Sequence, residues 1–327
     1  MIKVGLLGAG YMGRTHIEVY KLISLLSDVK VCGVCDVRSE KAIKGAKIHN
    51  AKVYNTPEEL INDPEIDVID ICLPTYLHFE YAKKSIEAKK DVFIEKPVTF
   101  NLSEGYELLS LQEKYKSRIM VGQCVRLWPS YSYLKRIYDN NTYGKLKRIT
   151  LIRNSSKPSW GYEDWYSDPE KSGNAIFDLH IHDIDYLRYL IGEPEAIHAF
   201  GNPSYIKSIL TYKNGIIAEI ENGWDFPQSY PFTAGFRADF EEATLTLTGR
   251  EIDIYENSGR LLQVVPDENY KEDDRIAEKV ASLGGYFYEL KYFYDCIKNK
   301  EEIKIASLYE AVKSVELIYK EIERMEG

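Results

Sequence analysis

The run Asp178-Leu179-His180-Ile181-His182-Asp183-Ile184-Asp185 concentrates carboxylates and imidazoles in a segment with helical spacing. On a helix, residues four apart share a face, so Asp178 and His182 lie together, with Asp185 near His182. His180 falls roughly 200° round from Asp178 at 3.6 residues per turn. His180 and His182 therefore do not converge readily on one metal ion. An Asp–His pair at this spacing can supply two zinc ligands, but no third is evident, and we expect no metal. The alternative chemistry is a histidine general base with a carboxylate beside it. A polar helix face satisfied by capping and solvent would carry the same letters.

A second constellation opens the chain. Gly8-Ala9-Gly10-Tyr11-Met12-Gly13 follows an apolar run, Lys3–Leu7, and starts a segment of helical spacing. In that setting Gly8 permits a tight turn and Gly10 lets backbone N–H groups approach a pyrophosphate. Gly13 lets the helix pack close to the sheet. Asp36, at the end of the next strand, is placed to accept hydrogen bonds from an adenosine ribose and to repel a 2′-phosphate. This favours NAD over NADP, although Arg38 nearby offers a phosphate partner. Glu95-Lys96-Pro97 ends the fifth strand, on the edge where ligands of open α/β sheets bind. Alone, Lys96 reads as a solvated charge.

The elements that must position these groups alternate regularly. Strands at Lys3–Leu7, Val29–Val34, Lys52–Tyr54, Val68–Leu73, Asp91–Ile94 and Ile119–Val121 are separated by helices, which implies a doubly wound parallel sheet. Ser39 and Thr56 are candidate helix caps. Beyond residue 122 the pattern changes. We expect a helix over Ser130–Tyr138, a strand over Lys145–Arg153, an aromatic loop, and a helix over Ala175–Ile191. Strand-like stretches from Ala196 to Val265, with turn signals at Asn214-Gly215, Pro227, Thr248-Gly249 and Ser258-Gly259, read as an antiparallel sheet. Two amphipathic helices, Tyr286–Ile297 and Leu308–Arg324, close the chain. The charge run Lys271–Lys279 reads as a solvated loop or helix start.

Composition narrows the partners. The 327 residues carry a net charge of −9, which argues against nucleic acid, because phosphate binding needs a basic surface. No apolar run is long enough to span a membrane and no export signal is evident. Cys32, Cys35, Cys72, Cys124 and Cys296 are scattered and odd in number, so no disulfide framework follows, and we expect a cytoplasmic protein. Cys32-x-x-Cys35 lies on a strand, where positions three apart point to opposite faces. The aromatics are unusual, with 26 Tyr against 11 Phe and 4 Trp.

The glycine fingerprint, Pro74…His78, Glu95-Lys96-Pro97 and Gly173…Asp178…His182 together make the chain resemble the Gfo/Idh/MocA oxidoreductases. The resemblance runs over essentially the whole length. It implies an N-terminal Rossmann domain plus a C-terminal α/β domain with a large, mostly antiparallel open sheet. We expect the first domain over residues 1–122, with the last helix, about 306–327, packing back on it, and a substrate and oligomerisation domain over 123–305. The family's catalytic trio carries over to Lys96, Asp178 and His182. The cofactor positions would be Gly8, Gly10, Tyr11, Met12, Gly13, Asp36, Arg38, Leu73, Pro74, Thr75, His78, Glu95, Lys96 and Gln123. Arg126, Trp160, Tyr162 and Trp165 would join Asp178 and His182 around the substrate. The activity implied is reversible NAD-dependent oxidation of a secondary alcohol on a sugar, sugar derivative or cyclitol, in a homodimer or homotetramer formed through the sheet. An NAD-dependent glycosidase working by transient oxidation and a non-catalytic NAD-binding sensor are the competing readings. Thr75 stands where many relatives have Asn, and His180 where many have Gly. These departures bear on the substrate.

Overall fold

A computed structural model describes residues 1–266 and 274–326. The chain divides into two compact units, Met1–Cys124 with the described residues of Tyr270–Val312, and Val125–Asn269 with the described residues of Lys313–Gly327.

In the first unit, β1 (Ile2–Leu7), α1 (Tyr11–Leu26), β2 (Val29–Cys35), α2 (Ser39–His49), β3 (Lys52–Val53), α3 (Pro57–Ile61), β4 (Val68–Ile71), α4 (His78–Glu87), β5 (Asp91–Ile94), α5 (Leu102–Tyr115) and β6 (Ile119–Val121) alternate as expected. The strands form one sheet in the order β3-β2-β1-β4-β5-β6, parallel throughout. The order reverses at β1, where the chain returns to place β4 on its other side, and this switch point is where such sheets bind ligands. β4 and β6 are buried at every position, which explains the apolar letters of β6 and of β4 apart from its one buried acid, Asp70. Thr56 caps α3 by accepting the Glu59 N–H, as expected. Ser39 does not cap α2. It is the first helical residue, and Arg38 occupies the cap position.

The second unit contains α6 (Pro129–Asp139), β7 (Leu146–Ser156), α7 (Pro169–Ser172), a π-helical turn (Ile176–His180) running into α8 (Ile181–Leu190), and seven more strands. These are β8 (Ala196–Asn202), β9 (Tyr205–Thr211), β10 (Ile217–Phe226), β11 (Thr233–Phe240), β12 (Ala243–Thr248), β13 (Glu251–Glu256) and β14 (Leu261–Val264). With β7 they make an eight-stranded sheet, β14-β13-β12-β11-β7-β10-β9-β8. Only β7 and β10 run parallel. The turn glycines Gly215, Gly249 and Gly259 all have positive φ, as their turns require. One face of the sheet carries the core, with Leu151, Ile220, Trp224, Phe236, Leu245 and Ile254 buried, and the π-helical turn packs against β7, β9 and β10.

The helices α9 (Asp274–Leu283), α10 (Gly285–Asn299) and α11 (Leu308–Glu326) end the chain. Of the charge run, residues 271–273 lie outside the described residues and the remainder belongs to α9. The division differs from a boundary at 122 and 305. α10 belongs with the first unit, because its apolar face packs there, with Phe293 edge-on to Phe93 and the Tyr294 hydroxyl 2.9 Å from that of Tyr20. α11 belongs to the first unit only as far as Val312. Among the described residues, no helix is long and apolar enough to cross a membrane.

Candidate functional site

The glycine loop joins β1 to α1 in the geometry its letters demand. Gly8 has φ +90°, and a Cβ there would lie 2.5 Å from the Cys72 carbonyl oxygen. A Cβ on Gly13 would lie 1.9 Å from the Gly8 carbonyl oxygen, so only glycine permits the helix to start so close to the strand. Gly10 is different, since a Cβ there would meet only Arg38 Nη2 at 3.6 Å. No side chain caps α1 and its first turn holds no acid, so the N–H groups of that turn are left for an anion. Tyr11 is exposed and Met12 half-buried beside it.

Asp36 ties this loop together. Its carboxylate accepts the Ala9 N–H at 2.7 Å and the Arg38 N–H at 2.8 Å. It also accepts the Arg38 guanidinium through Nε at 3.1 Å and Nη2 at 3.3 Å. Arg38 is thus already paired with Asp36. Gln123, at the end of the same sheet edge, is 1% exposed, and neither atom of its side-chain amide has a hydrogen-bond partner. A buried amide in this state needs a ligand or water, since leaving it unmade is costly. Open space at Gly10, uncapped N–H groups and the orphaned amide of Gln123 together fit a dinucleotide.

Leu73 and Pro74 are half-buried and Thr75 buried after β4. His78 does not face outward. It is buried, with Nε2 2.8 Å from the Leu73 carbonyl oxygen and Nδ1 2.8 Å from that of Pro97. Burial lowers its pKa, against the opposing pull of the two carbonyls. His78 therefore shapes the cofactor edge by joining the loops after β4 and β5. Lys96 is half-buried at the end of β5, followed by a cis peptide to Pro97. Its backbone N–H donates to Glu95 Oε2 at 3.2 Å.

Lys96 belongs to the first unit, and Asp178 and His182 to the second. From Ala175 to Arg188 every residue is buried except Asp178 and His182, which are half-buried. The pair thus shares the one accessible stripe of this helix, as the spacing predicts. The first turn is π-helical, with the Ile181 N–H donating to the Ile176 carbonyl, a wider turn than the expected α-helix. His180 points into the unit, with Nδ1 2.5 Å from Asn222 Oδ1 and Nε2 2.8 Å from Glu321 Oε2. Asn222 in turn donates to Asp183, which also takes Arg153.

Two expectations need correction. The Asp185 carboxylate is buried and taken up by Arg126, and Arg126 is buried rather than lining a cleft. The two form a buried bidentate pair, Arg126 Nε and Nη2 donating to Asp185 at 2.6 and 2.7 Å, with the Ser314 hydroxyl also on Asp185 at 2.8 Å. A guanidinium 2% exposed and held in this way is a structural group. The aromatic loop divides in the same spirit. Tyr166 is buried, stacked on Trp165 with ring centroids 4.0 Å apart and edge-on to Trp224. Trp160 is exposed and Tyr162 half-buried.

The cysteines are free, as their spacing implies, and burial pushes the Cys35 thiol up to about 11. Missing from the sequence-based candidates are His16 and Glu289, which gather with Glu95 inside the first unit, and Asp70, on the other side of His16. His16 lies one helical turn after Gly13, and that proximity to the fingerprint is the only local signal.

The Rossmann-fold family model described as "Oxidoreductase family, NAD-binding Rossmann fold" (GFO_IDH_MocA) matches residues 2–123, and the GFO/IDH/MocA C-terminal domain model matches residues 131–251. An oxidoreductase of Bacillus subtilis, YrbE, is 32% identical over 68% of this chain and 67% of its own. Myo-inositol 2-dehydrogenase of Thermotoga maritima is 30% identical over 68% of each chain. Among solved structures, levoglucosan dehydrogenase in complex with NADH and levoglucosan has a TM-score of 0.88 at 18% identity, covering 99% of this chain and 97% of that one. UDP-N-acetylglucosamine 3-dehydrogenase from Acidithiobacillus ferrooxidans has a TM-score of 0.79 at 19% identity, covering 99% and 98%. At such identities the structural likenesses show the fold.

Proposed function

Because this chain belongs to the Gfo/Idh/MocA family of NAD-binding oxidoreductases, we propose that it transfers hydride reversibly between NAD and a secondary alcohol of a sugar, sugar derivative or cyclitol. The observation that carries the reading is the pair Asp178 and His182, the two residues between Ala175 and Arg188 that are not buried. Bound nicotinamide would supply the hydride acceptor. His182 would take the hydroxyl proton as the base. Lys96 would donate a hydrogen bond to the same oxygen and stabilise its developing negative charge. Asp178 would accept a hydrogen bond from a neighbouring hydroxyl and so select polyols. Trp160, Tyr162 and Trp165 would offer flat faces to a sugar ring.

The uncapped first turn of α1 and the amide of Gln123 would hold the cofactor, and Asp36 would prefer NAD to NADP. Relatives named for myo-inositol, levoglucosan and UDP-N-acetylglucosamine support the substrate class without choosing within it. Five free cysteines fit a cytoplasmic setting. On the sheet face opposite the core, Ile152, Phe200, Ile217, Tyr255 and Leu261 are exposed and, by strand register, all on one side. This face supports assembly of a homodimer or homotetramer, and a monomer in light scattering would remove that part of the proposal.

The test is a screen of inositols, aldoses and sugar acids with NADH fluorescence as readout, repeated on Lys96→Ala. Loss of about 10²- to 10⁴-fold in kcat, with NAD still bound, is expected for removal of a group acting in proton transfer or charge stabilisation. Full turnover by Lys96→Ala would refute the scheme.

A further inference from the structure

Behind Lys96 lies a group of acids that no step of the proposed reaction uses. Glu95, which accepts the Lys96 backbone N–H, has its other oxygen, Oε1, 3.1 Å from His16 Nε2. The pair is too poorly aligned for a regular hydrogen bond, and both atoms are buried. The other nitrogen of His16, Nδ1, lies 2.9 Å from Asp70 Oδ2 and 3.2 Å from Cys72 Sγ. Asp70 also accepts the Tyr20 hydroxyl, which contacts Tyr294. From α10, Glu289 completes the group. It is 0% exposed, and neither of its carboxyl oxygens has a hydrogen-bond partner. One ligand-type atom each from His16, Glu95 and Glu289 falls within a span of 4.8 Å.

An ionised Glu289 in that position would set a second buried carboxylate close to Glu95 with no hydrogen-bond donor of its own, which is the arrangement that forces one to keep its proton. His16 has a carboxylate near each nitrogen, which favours the doubly protonated ring, and such a ring has no lone pair to offer a metal ion. We propose that Glu289 is a neutral carboxylic acid whose proton is shared with Glu95, directly or through one water, and that it is a positioning residue for the Glu95 carboxylate that holds the Lys96 backbone. The catalytic part of this inference rests on the role assigned to Lys96. The protonation part does not.

The titratable groups that face Glu289 are Glu95 at the end of β5, His16 on α1, Asp70 on β4 and Tyr286 on its own helix. Burial pushes the Glu289 carboxyl well above its usual range, and the charge of Glu95 adds to this. For His16, burial opposes the charge, but Asp70 and Cys72 outweigh it and hold the ring well above its ordinary pKa. Protonation therefore lies on both sides of Glu95, from His16 and from Glu289, and the net charge beside Lys96 stays small. Loss of the Glu289 proton at high pH would add a second negative charge behind the lysine.

Infrared spectroscopy of the intact protein tests the state directly. Between pH 6 and 8 the wild type is expected to show the carbonyl stretch of a protonated carboxylic acid. This band should vanish in Glu289→Gln and shift in wild type labelled with glutamate carrying ¹³C at the side-chain carboxyl, a measurement that needs no substitution. The positioning role predicts that the alkaline limb of the kcat profile moves upward by half a pH unit or more in Glu289→Gln. Absence of the band, or one bound metal ion per purified chain by elemental analysis, would overturn the proposal. A Glu289-dependent band with superimposable kcat profiles would overturn the positioning role. Turnover by Lys96→Ala with the band intact would count against the lysine's role and leave the state of Glu289 standing.

Discussion

Asp36→Asn should move cofactor preference from NAD towards NADP by about 3 kcal/mol, roughly a hundredfold. The substitution keeps the size of the side chain and an acceptor oxygen for the Ala9 N–H at 2.7 Å, so the glycine loop retains its tie. What it removes is the charge. Hydrogen bonds from ribose hydroxyls to a carboxylate contribute about 1.5–3 kcal/mol, and the neutral amide forfeits much of that for NAD. For NADP the sign reverses. A carboxylate about 4 Å from a phosphate charge costs up to about 4 kcal/mol at an effective dielectric constant near 20, before salt screening reduces it. The Arg38 guanidinium, which spends Nε and Nη2 on Asp36 at 3.1 and 3.3 Å, is released to meet the phosphate. Calorimetric titration of NAD and NADP into wild type and variant reads the two affinities separately. A change in their ratio of less than threefold, with the variant folded, would refute the assignment of Asp36 as the discriminating group. Adding Arg38→Ala to Asp36→Asn should abolish the gain in NADP affinity, which identifies the arginine as the phosphate partner.

Arg126→Ala should destabilise the second unit by about 3–5 kcal/mol, because it breaks a buried bidentate pair and leaves Asp185, among the described residues, with the Ser314 hydroxyl as its side-chain partner. All four tryptophans lie between residues 128 and 224, so their emission in urea titrations follows that unit. An unchanged midpoint accompanied by a raised KM would instead put Arg126 on the substrate. His180→Gln should flatten the dependence of stability on pH. Burial opposes charge on His180, but Glu321 outweighs it and raises the pKa. Its stabilising contribution is therefore complete below about pH 6.5 and fades as pH rises through the folded value, with a slope of up to about 1.4 kcal/mol per unit for one proton. Equal slopes for the two proteins between pH 6 and 8 would refute this.

The parts legible in the sequence are those in which a few neighbouring residues decide the outcome. Gly8 and Gly13 are compelled by backbone contacts within one strand–turn–helix unit, and Asp36 is tied to Ala9 at the next strand end. The surface stripe of Asp178 and His182 follows from local helical spacing. Arg126 was misplaced because its partner, Asp185, is distant in sequence, and an arginine near a strand end looks the same whether it faces a ligand or a buried acid. Glu289 was invisible for a similar reason. Its helix reads as amphipathic and tyrosine-rich, and only the fold brings it to Glu95 and His16. The tyrosine excess resolves in part along this helix. Tyr294 reaches Tyr20, and the Tyr292 hydroxyl accepts the Lys304 and Ile305 N–H groups at 2.9 and 3.1 Å. A polar-tipped aromatic ring can thus pack and close a loop at once.

The aromatic loop has a practical consequence through its single buried ring. Tyr166 pins it against Trp224, while Trp160 stays exposed and Tyr162 only half-covered. Trp160 lies edge-on to the same ring, so Tyr166 is the inner anchor on which the exposed part of the loop packs. Libraries that vary residues 157–164 and keep Tyr166 would change what the loop recognises while leaving the glycine loop, Glu95-Lys96-Pro97 and the Asp178–His182 stripe as they are. On the proposed function, that one tyrosine is the residue to hold fixed while the exposed residues around it are varied.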